Sequence, residues 1–205
     1  MALVIDIETI PRPGIMDTWF PEWAAQKNPD ATPEELERMA GLHAEFGMVC
    51  AIGYASPDVS KPVHSLTAAT LEAERDMLVQ FAETLQHYGG TLIGHNIKAF
   101  DIPFLAKRYL AHGLRIPEPL RVAGKKPWEV PHVDTLQEMK FGGDCSMSLR
   151  SACLLLGLGD PKADCSGGEV WDLFKAGDMG VIARYVESDV EYTRKLWRVL
   201  LGAKV

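Results

Sequence analysis

Three observations predict an α/β domain built on a mixed sheet of five to six strands. The first part of the chain contains three strand-like apolar runs, the middle alternates strands with amphipathic helices, and the end is helical. Consecutive strands tend to pair with each other, whereas a strand–helix–strand crossover gives parallel neighbours. The order therefore predicts an antiparallel meander that is extended by parallel strands and flanked by helices.

The first strand is the run ALVIDIETI, whose apolar residues are typical of a buried central strand. The next segment, at about 11–43, is interpreted as a helical insertion. Within it, Thr32 as N-cap, Pro33 and Glu35 form the capping-box start of a helix. The aromatic run DTWFPEW precedes that helix, and three roles stay open for it: packing, lining a substrate channel or binding a partner.

Hydrophobic periodicity predicts the remaining elements. A long amphipathic helix begins near residue 70 and turns Met77, Leu78, Phe81 and Leu85 inward. The other predicted strands lie near 46–56, 62–67, 91–96 and 130–135. The other predicted helices lie near 100–112, 147–156, 169–176 and 179–201.

Composition limits the possible functions. A chain of 205 residues suits one domain, here predicted over 1–205, and a net charge of −7 argues against a broad basic surface for duplex DNA. No apolar stretch is long enough for a membrane span and no signal peptide is visible, so no membrane partner is predicted. Four cysteines without a CxxC pair are typical of a reduced, cytoplasmic protein.

One basic stretch departs from this average. Residues 98–126 contain seven basic side chains against two acidic ones. A solvated helix face followed by a loop is one interpretation. The seven are Lys98, Lys107, Arg108, Arg115, Arg121, Lys125 and Lys126.

Asp6 and Glu8 form an unusual pair within the first strand. Side chains alternate across a strand, so both carboxylates point to the same face. Like charges at the spacing of roughly 6–7 Å repel by roughly 2–3 kcal/mol at an effective dielectric near 20. Either this strand end is exposed to solvent, or a cation belongs between the two side chains.

Two further carboxylates are placed to join this pair. Asp101 follows a buried strand in the opening turn of a helix, at the sheet edge where α/β sites form. Tyr185 and Asp189 are i,i+4 neighbours on the inward face of the last helix. Four converging carboxylates suit Mg²⁺ or Mn²⁺ better than zinc, and two such ions are a common device for phosphodiester hydrolysis.

At this point the sequence resembles the DEDD (DnaQ-like) superfamily of 3′–5′ exonucleases, in its tyrosine-bearing DEDDy branch. VIDIET, HNIKAFD and YVESD are similar to the three exonuclease motifs of that family, in the same order. The second motif is most similar to the proofreading domains of family B DNA polymerases. The resemblance spans the chain from Asp6 to Asp189 and implies a ribonuclease-H-like fold.

The resemblance implies five catalytic residues. Asp6, Glu8 and Asp189 would hold the metal ion that carries the attacking water. Asp6 would also bind a second metal ion, with support from Asp101, and Tyr185 would orient the water.

The same resemblance implies where the substrate binds. The backbone around three residues of the first strand would contact the terminal nucleotide, and two residues of the second motif would contact the next one. They are Ile7, Thr9 and Ile10 for the first group and Asn96 and Phe100 for the second.

The resulting expectation is a metal-dependent 3′–5′ exonuclease that removes nucleoside 5′-monophosphates from the 3′ end of single-stranded DNA. A 3′–5′ exoribonuclease of the same fold and a catalytically silent, polymerase-associated binding module are the alternatives. A separate polymerase or repair protein is the expected kind of protein partner, with a role in proofreading or DNA repair. A haloacid-dehalogenase-type phosphatase is disfavoured because its second acid should be Asp rather than Glu8.

Two other features receive structural interpretations. His132 and Asp134 are interpreted as hydrogen-bonded residues at a strand end rather than a metal pair. The glycine-rich segment GLGDPKADCSGG lacks the Lys-Ser/Thr ending of a phosphate-binding loop, and is interpreted as a connection.

Overall fold

The computed structural model describes residues 2–88, 90–126, 129–144, 146–162 and 167–203. Its strands are β1 (Ala2–Pro11), β2 (Gly47–Ala55), β3 (Val63–Thr67), β4 (Thr91–Gly94) and β5 (Val133–Asp134). Its α-helices are α1 (Phe20–Lys27), α2 (Pro33–Ala40), α3 (Leu71–Tyr88), α4 (Asp101–Ala111), α5 (Thr135–Met139), α6 (Leu149–Leu155), α7 (Val170–Ala176) and α8 (Met179–Leu200).

The sheet has the order β3-β2-β1-β4-β5, with β1 in the centre. β1 pairs antiparallel with β2 and parallel with β4; β2–β3 is antiparallel and β4–β5 is parallel. The predicted mixed sheet, an antiparallel meander extended by parallel strands, is therefore confirmed at five strands. β1 is almost wholly apolar because a central strand is covered on both faces.

Helix α8 covers the face of the sheet to which Asp6 and Glu8 belong. Val190 of α8 packs with Val4, Ala55 and Ile93 from three strands. The approach is close because Gly53 has no side chain: a Cβ there would lie 2.8 Å from Val190 Cγ2 and 2.9 Å from the Val186 carbonyl oxygen. Helices α3 and α4 cover the opposite face, where Met77, Leu78, Phe81 and Leu85 are buried as predicted.

A β-bulge interrupts the β1–β2 ladder beside Glu8. Glu8 pairs with Ala51 but Thr9 pairs with Val49, so Cys50 is an extra residue on β2. The Val49 N–H donates to Glu74 Oε1 on α3 at 2.7 Å. The buried Glu74 carboxylate is thus bonded to β2 at the point where the regular register between β1 and β2 is lost.

Glu74 is held by a buried ion pair. Arg108 of α4 donates to its two carboxylate oxygens at 2.9 and 2.6 Å, and His112 Nε2 lies 2.7 Å from Glu74 Oε2. Arg108 also donates to the Ala44 carbonyl at 3.1 Å. Glu74 and Arg108 are 0% and 4% exposed, so this network joins α3, α4, β2 and the segment before β2 inside the core.

The segment between β1 and β2 contains α1 and α2, and the capping box at Thr32 and Glu35 is present as predicted. Phe20, Trp23 and Phe46 pack together, with ring centroids 4.8 to 6.0 Å apart, whereas Trp19 is 62% exposed. The packing interpretation therefore holds for Phe20 and Trp23 and not for the exposed face of Trp19.

Two side chains of α2 attach this segment to α7. Arg38 donates to both carboxylate oxygens of Asp172 at 2.7 and 2.9 Å and to the Gly168 carbonyl at 2.9 Å. Trp171 Nε1 donates to Glu37 at 3.2 Å. The insertion is thus bonded to the chain that leads into α8.

Two helices were not predicted separately, α1 within the insertion and the five-residue α5 after β5. Within the described part of the chain, no helix is both long and apolar enough to cross a membrane.

Replacement of Arg108 tests the buried ion pair. Arg108→Ala leaves the Glu74 carboxylate buried without its charge partner, and removal of one partner of such a pair destabilises a protein by about 3–5 kcal/mol. We expect that loss in the free energy of unfolding by urea. Lys107→Ala is the matched control in the same helix, because Lys107 is 61% exposed and meets Glu45 only at 3.6 Å. Equal stability of the two variants would contradict the assignment.

Candidate active site

β1 presents Asp6 and Glu8 to the same side of the sheet, as predicted. Their cross-strand neighbours are Gly53 and Ala51, the two smallest residue types. Directly opposed residues share one face of a sheet, so small neighbours leave space beside both carboxylates. Gly53 also lets α8 approach this face.

Helix α8 brings Tyr185 and Asp189 to the two strand carboxylates. One carboxylate oxygen from each of Asp6, Glu8 and Asp189 lies within 4.8 Å of the other two. Tyr185 and Asp189 are 5% and 6% exposed. The buried Asp189 Oδ1 has no hydrogen-bond partner among the described residues. A buried acceptor without a partner, beside two other carboxylates, fits a cation with hard oxygen ligands.

Asp101 lies at the start of α4, next to β1. It is 3% exposed, and its Oδ1 accepts a hydrogen bond from the Ile7 N–H at 3.2 Å. It is not in the group of three converging oxygens from Asp6, Glu8 and Asp189. Burial raises the pKa of Asp101 to about 7, and its charge helps to raise the pKa of Asp6. Its role as a metal-supporting residue stays a prediction.

Burial also dominates the protonation of the other three carboxyls. It raises the pKa of Glu8 to about 8, with a further rise from the charge of Asp189. The pKa of Asp6 is raised well above its usual range by burial and then by the charges of Asp101, Asp189 and Glu8. The pKa of Asp189 is raised by burial, against a lowering by Lys162. All four pKa values are therefore shifted upward, so a bound cation would compete with protons for these oxygens.

Asp134 accepts hydrogen bonds from the backbone of the loop that carries the second motif. Asp134 Oδ1 accepts hydrogen bonds from the N–H groups of Asn96 and Leu136 at 2.9 and 3.0 Å, and Oδ2 accepts from the Lys98 N–H at 3.0 Å. Asn96 is exposed and adopts a left-handed φ of 66°. The buried Asp134 therefore fixes the backbone that presents Asn96.

His132 has a similar structural role. Its Nδ1 accepts from the Leu92 N–H at 3.0 Å, so Nε2 carries the proton and donates to the Pro119 carbonyl at 2.6 Å. The structural interpretation of His132 and Asp134 agrees with these bonds, although each bonds to backbone rather than to the other.

The predicted substrate-binding residues differ in accessibility. Ile7 and Ile10 are 5% and 0% exposed, so only their backbone can contact a nucleotide, and the Ile7 N–H already donates to Asp101. Thr9 is half-buried. Phe100 is half-buried and packs on Phe104, with ring centroids 5.5 Å apart. The predicted contacts with substrate stay predictions.

Lys162 is a residue of this site that sequence reasoning missed. Its Nζ lies 3.2 Å from Asp189 Oδ2, also contacts the Tyr185 hydroxyl, and sits 4.5 Å from the centre of the tyrosine ring. It belongs to the glycine-rich segment interpreted as a connection. One observation pointed to such a residue. A buried Asp189 needs a positively charged partner, and no basic residue of the same helix is spaced to reach it.

Comparison with known proteins identifies the family. Residues 42–201 match the model of a family described as predicted 3′–5′ exonucleases related to the exonuclease domain of PolB. The chain belongs to this family. The matched region contains the second and third motifs, whereas Asp6 and Glu8 precede it. No curated protein matches the chain.

A solved structure supports the fold assignment. The chain is similar to the family B DNA polymerase of the hyperthermophilic archaeon Pyrobaculum calidifontis, with a TM-score of 0.67 at 18% sequence identity. The match covers 98% of this chain but only 24% of the polymerase chain. At this identity the likeness establishes the fold, which is ribonuclease-H-like as predicted.

The pKa of Glu8 predicts how stability varies with pH. In the unfolded chain this carboxyl ionises near its ordinary value of 4.5, and in the folded protein near 8. Between these values the unfolded chain is ionised and the folded protein is not, so the free energy of unfolding should fall as pH rises. We expect this decline in urea titrations without metal at pH 5, 7 and 9, and stabilisation by Mn²⁺ that grows with pH.

Glu8→Gln is the control for that titration. It removes the ionising group, so its metal-free stability should decline less steeply over the same pH range. Parallel slopes for the two proteins would show that the Glu8 pKa is not raised.

Proposed function

We propose that this protein is a metal-dependent 3′–5′ exonuclease of the tyrosine-bearing DEDDy branch, acting on single-stranded DNA. The observation that carries the proposal is the convergence of Asp6, Glu8 and Asp189 oxygens within 4.8 Å, with Asp189 Oδ1 unsatisfied. Membership of a family of predicted exonucleases supports it. The whole chain would act as one exonuclease domain.

Asp6, Glu8 and Asp189 would hold one Mg²⁺ or Mn²⁺, and Asp6 with Asp101 would hold a second. Bound divalent ions supply activation of the attacking water and stabilisation of the leaving oxygen. Asp101 keeps one oxygen bonded to the Ile7 N–H, so it also fixes α4 against the strand that carries the other two ligands.

The chain's own residues orient the reaction. The Tyr185 hydroxyl would position the attacking water towards the terminal phosphate. Lys162 donates to that hydroxyl and to Asp189, so one ammonium keeps both side chains of α8 in a fixed relation. Because the site is buried, these hydrogen bonds are little weakened by competing water.

The substrate would be the 3′ end of a single strand. Attack on the terminal phosphodiester breaks its bond to the 3′ oxygen of the preceding nucleotide and releases a nucleoside 5′-monophosphate. Asn96 and Phe100 would contact the nucleotide next to the end, and the backbone at Ile7, Thr9 and Ile10 the last one. Base stacking of about 1–3 kcal/mol per base gives affinity without a broad basic surface.

DNA is proposed over RNA because the second motif resembles polymerase proofreading domains. An exoribonuclease of the same fold is the second candidate, because the 2′-hydroxyl is what distinguishes RNA from DNA and no residue of the proposed site is assigned to it. A separate polymerase or repair protein is the proposed partner, and the 62% exposed Trp19 offers apolar surface for one. Proofreading or repair in the cytoplasm is the proposed setting.

A degradation assay tests the proposed function. Single-stranded DNA and RNA of one sequence, labelled at the 5′ end, are incubated with Mn²⁺, Mg²⁺ or EDTA. We expect a ladder that shortens stepwise from the 3′ end, is abolished by EDTA and is faster for DNA. Asp6→Ala and Asp189→Ala should lower the rate at least about 10³-fold, because each removes a ligand of the cations that stabilise the transition state.

Asp30→Ala, which removes an exposed carboxylate of the insertion, is the matched control and should cleave at the wild-type rate. Both site variants should stay folded, since removing a carboxylate from the cluster lowers its internal repulsion. A folded Asp6→Ala or Asp189→Ala protein with unchanged turnover would reject the site.

Tyr185→Phe separates orientation of the water from metal binding. Loss of the hydroxyl should lower kcat about 10²-fold, the usual cost of a misplaced reactant, while Mn²⁺ affinity by calorimetry stays unchanged. Tyr192→Phe, two turns along the same helix and half-buried, is the control and should match the wild type. Loss of Mn²⁺ affinity in Tyr185→Phe would instead assign the tyrosine a structural role.

A further inference from the structure

A groove lies beside the second motif, at the β5 edge of the sheet. It has a volume of about 220 Å³. Among the residues that the structure describes, two lysines, three aliphatic side chains and one glutamine line it. The lining residues are Lys98, Ile102, Val122, Lys125, Val130 and Gln137. We call it the lysine groove.

The lysine groove is connected to the candidate active site through the loop of the second motif. Lys98 follows Asn96 by two residues, and Ile102 follows Asp101 directly. The Lys98 N–H is bonded to the buried Asp134, so its backbone is fixed to the sheet. The same Asp134 side chain accepts from the Asn96 N–H, so one buried carboxylate fixes both the groove lysine and the residue predicted to contact the substrate.

The two ammonium groups are available for an anion. No carboxylate lies within 4.0 Å of Lys98 Nζ in the parts of the chain that the structure describes. Lys125 has only a loose contact with Glu118, at 3.9 Å, and that glutamate is 78% exposed. Exposed pairs of this kind contribute little and yield readily to a competing anion.

Two other members of the basic stretch differ from these lysines. Arg108 is buried against Glu74, and Lys107 faces Glu45 at 3.6 Å. Lys98 and Lys125 line the same groove. Burial lowers the pKa of His132, and the charges of both lysines lower it further. In a chain with a net charge of −7, this is a local concentration of positive charge.

The size and lining of the groove favour a polymer over a free small molecule. At about 220 Å³ it is smaller than the roughly 300–1,000 Å³ of pockets that enclose small ligands. Aliphatic walls suit sugars and bases, and lysines suit phosphates. This combination of apolar contacts and backbone neutralisation is how proteins hold single strands without reading their sequence.

We propose that the lysine groove binds the phosphate backbone of the single strand on the 5′ side of the nucleotides held at the active site. The proposal rests on the proposed exonuclease function, and it assigns Lys98 and Lys125 as phosphate contacts. They act on strand binding and take no part in bond cleavage.

The test compares a long and a short substrate. The double variant Lys98→Ala/Lys125→Ala is assayed on a 12-nucleotide single strand and on a dithymidine dinucleotide, which is too short to extend from the active site. We expect KM for the 12-mer to rise about 10-fold or more, with kcat unchanged and dinucleotide cleavage unaffected. The slope of log KM against log salt should fall by about 1.4, near 0.7 for each lost phosphate contact on a single strand.

Lys61→Ala is the matched control, since it removes one exposed lysine in the turn before β3, at the opposite edge of the sheet. It should behave as the wild type on both substrates. The same result for the double variant would overturn the lysine groove while leaving the exonuclease function intact. An equal loss on both substrates would also overturn it, because the lysines would then act at the site itself.

A separate measurement keeps the two proposals distinct. If the wild-type protein cleaves neither substrate, the exonuclease function fails, and binding of a fluorescent 12-mer is measured by anisotropy instead. Weaker binding by the folded double variant, with Lys61→Ala unchanged, would still support the groove. Equal binding by all three proteins would reject it.

Discussion

The placement of Asp6 and Glu8 on one face of a buried strand is the constraint around which the rest of the site is arranged. The chain accommodates it in three ways. Gly53 and Ala51 leave space opposite the two acids, burial raises the pKa of both acids, which favours their neutral form, and Lys162 supplies a positive charge at Asp189. Each of these features is unremarkable alone, and together they allow an acidic cluster to exist inside a folded core.

Features that depend on residues close together in the sequence were predictable, whereas features that depend on distant residues were not. Strands and long helices were predictable because their apolar period is local, and Asp6, Glu8, Tyr185 and Asp189 followed from the same periods. The five-residue α5 was missed because a helix of little more than one turn is too short to show a hydrophobic period. Lys162 was missed because it reaches Asp189 from 27 positions away in the sequence, from a segment that has no period at all.

The β-bulge shows a further limit of sequence patterns. Nothing in the run from Gly47 to Ala55 marks Cys50 as the extra residue, since all its neighbours are apolar. The side chain that bonds to the strand at the bulge is Glu74. Helix periodicity alone does not predict whether this charged residue is exposed or buried. Its bond to the Val49 N–H and its pairing with Arg108 fix the strand register directly beside Glu8.

Lys162 has a consequence for the order in which the protein is assembled. An acidic cluster that depended on external cations for neutralisation would leave the newly made chain unable to close its core until they arrived. Here part of the compensating charge is covalently attached and arrives with the last third of the chain. The core can therefore close around the acidic cluster with a counter-charge that the chain itself supplies.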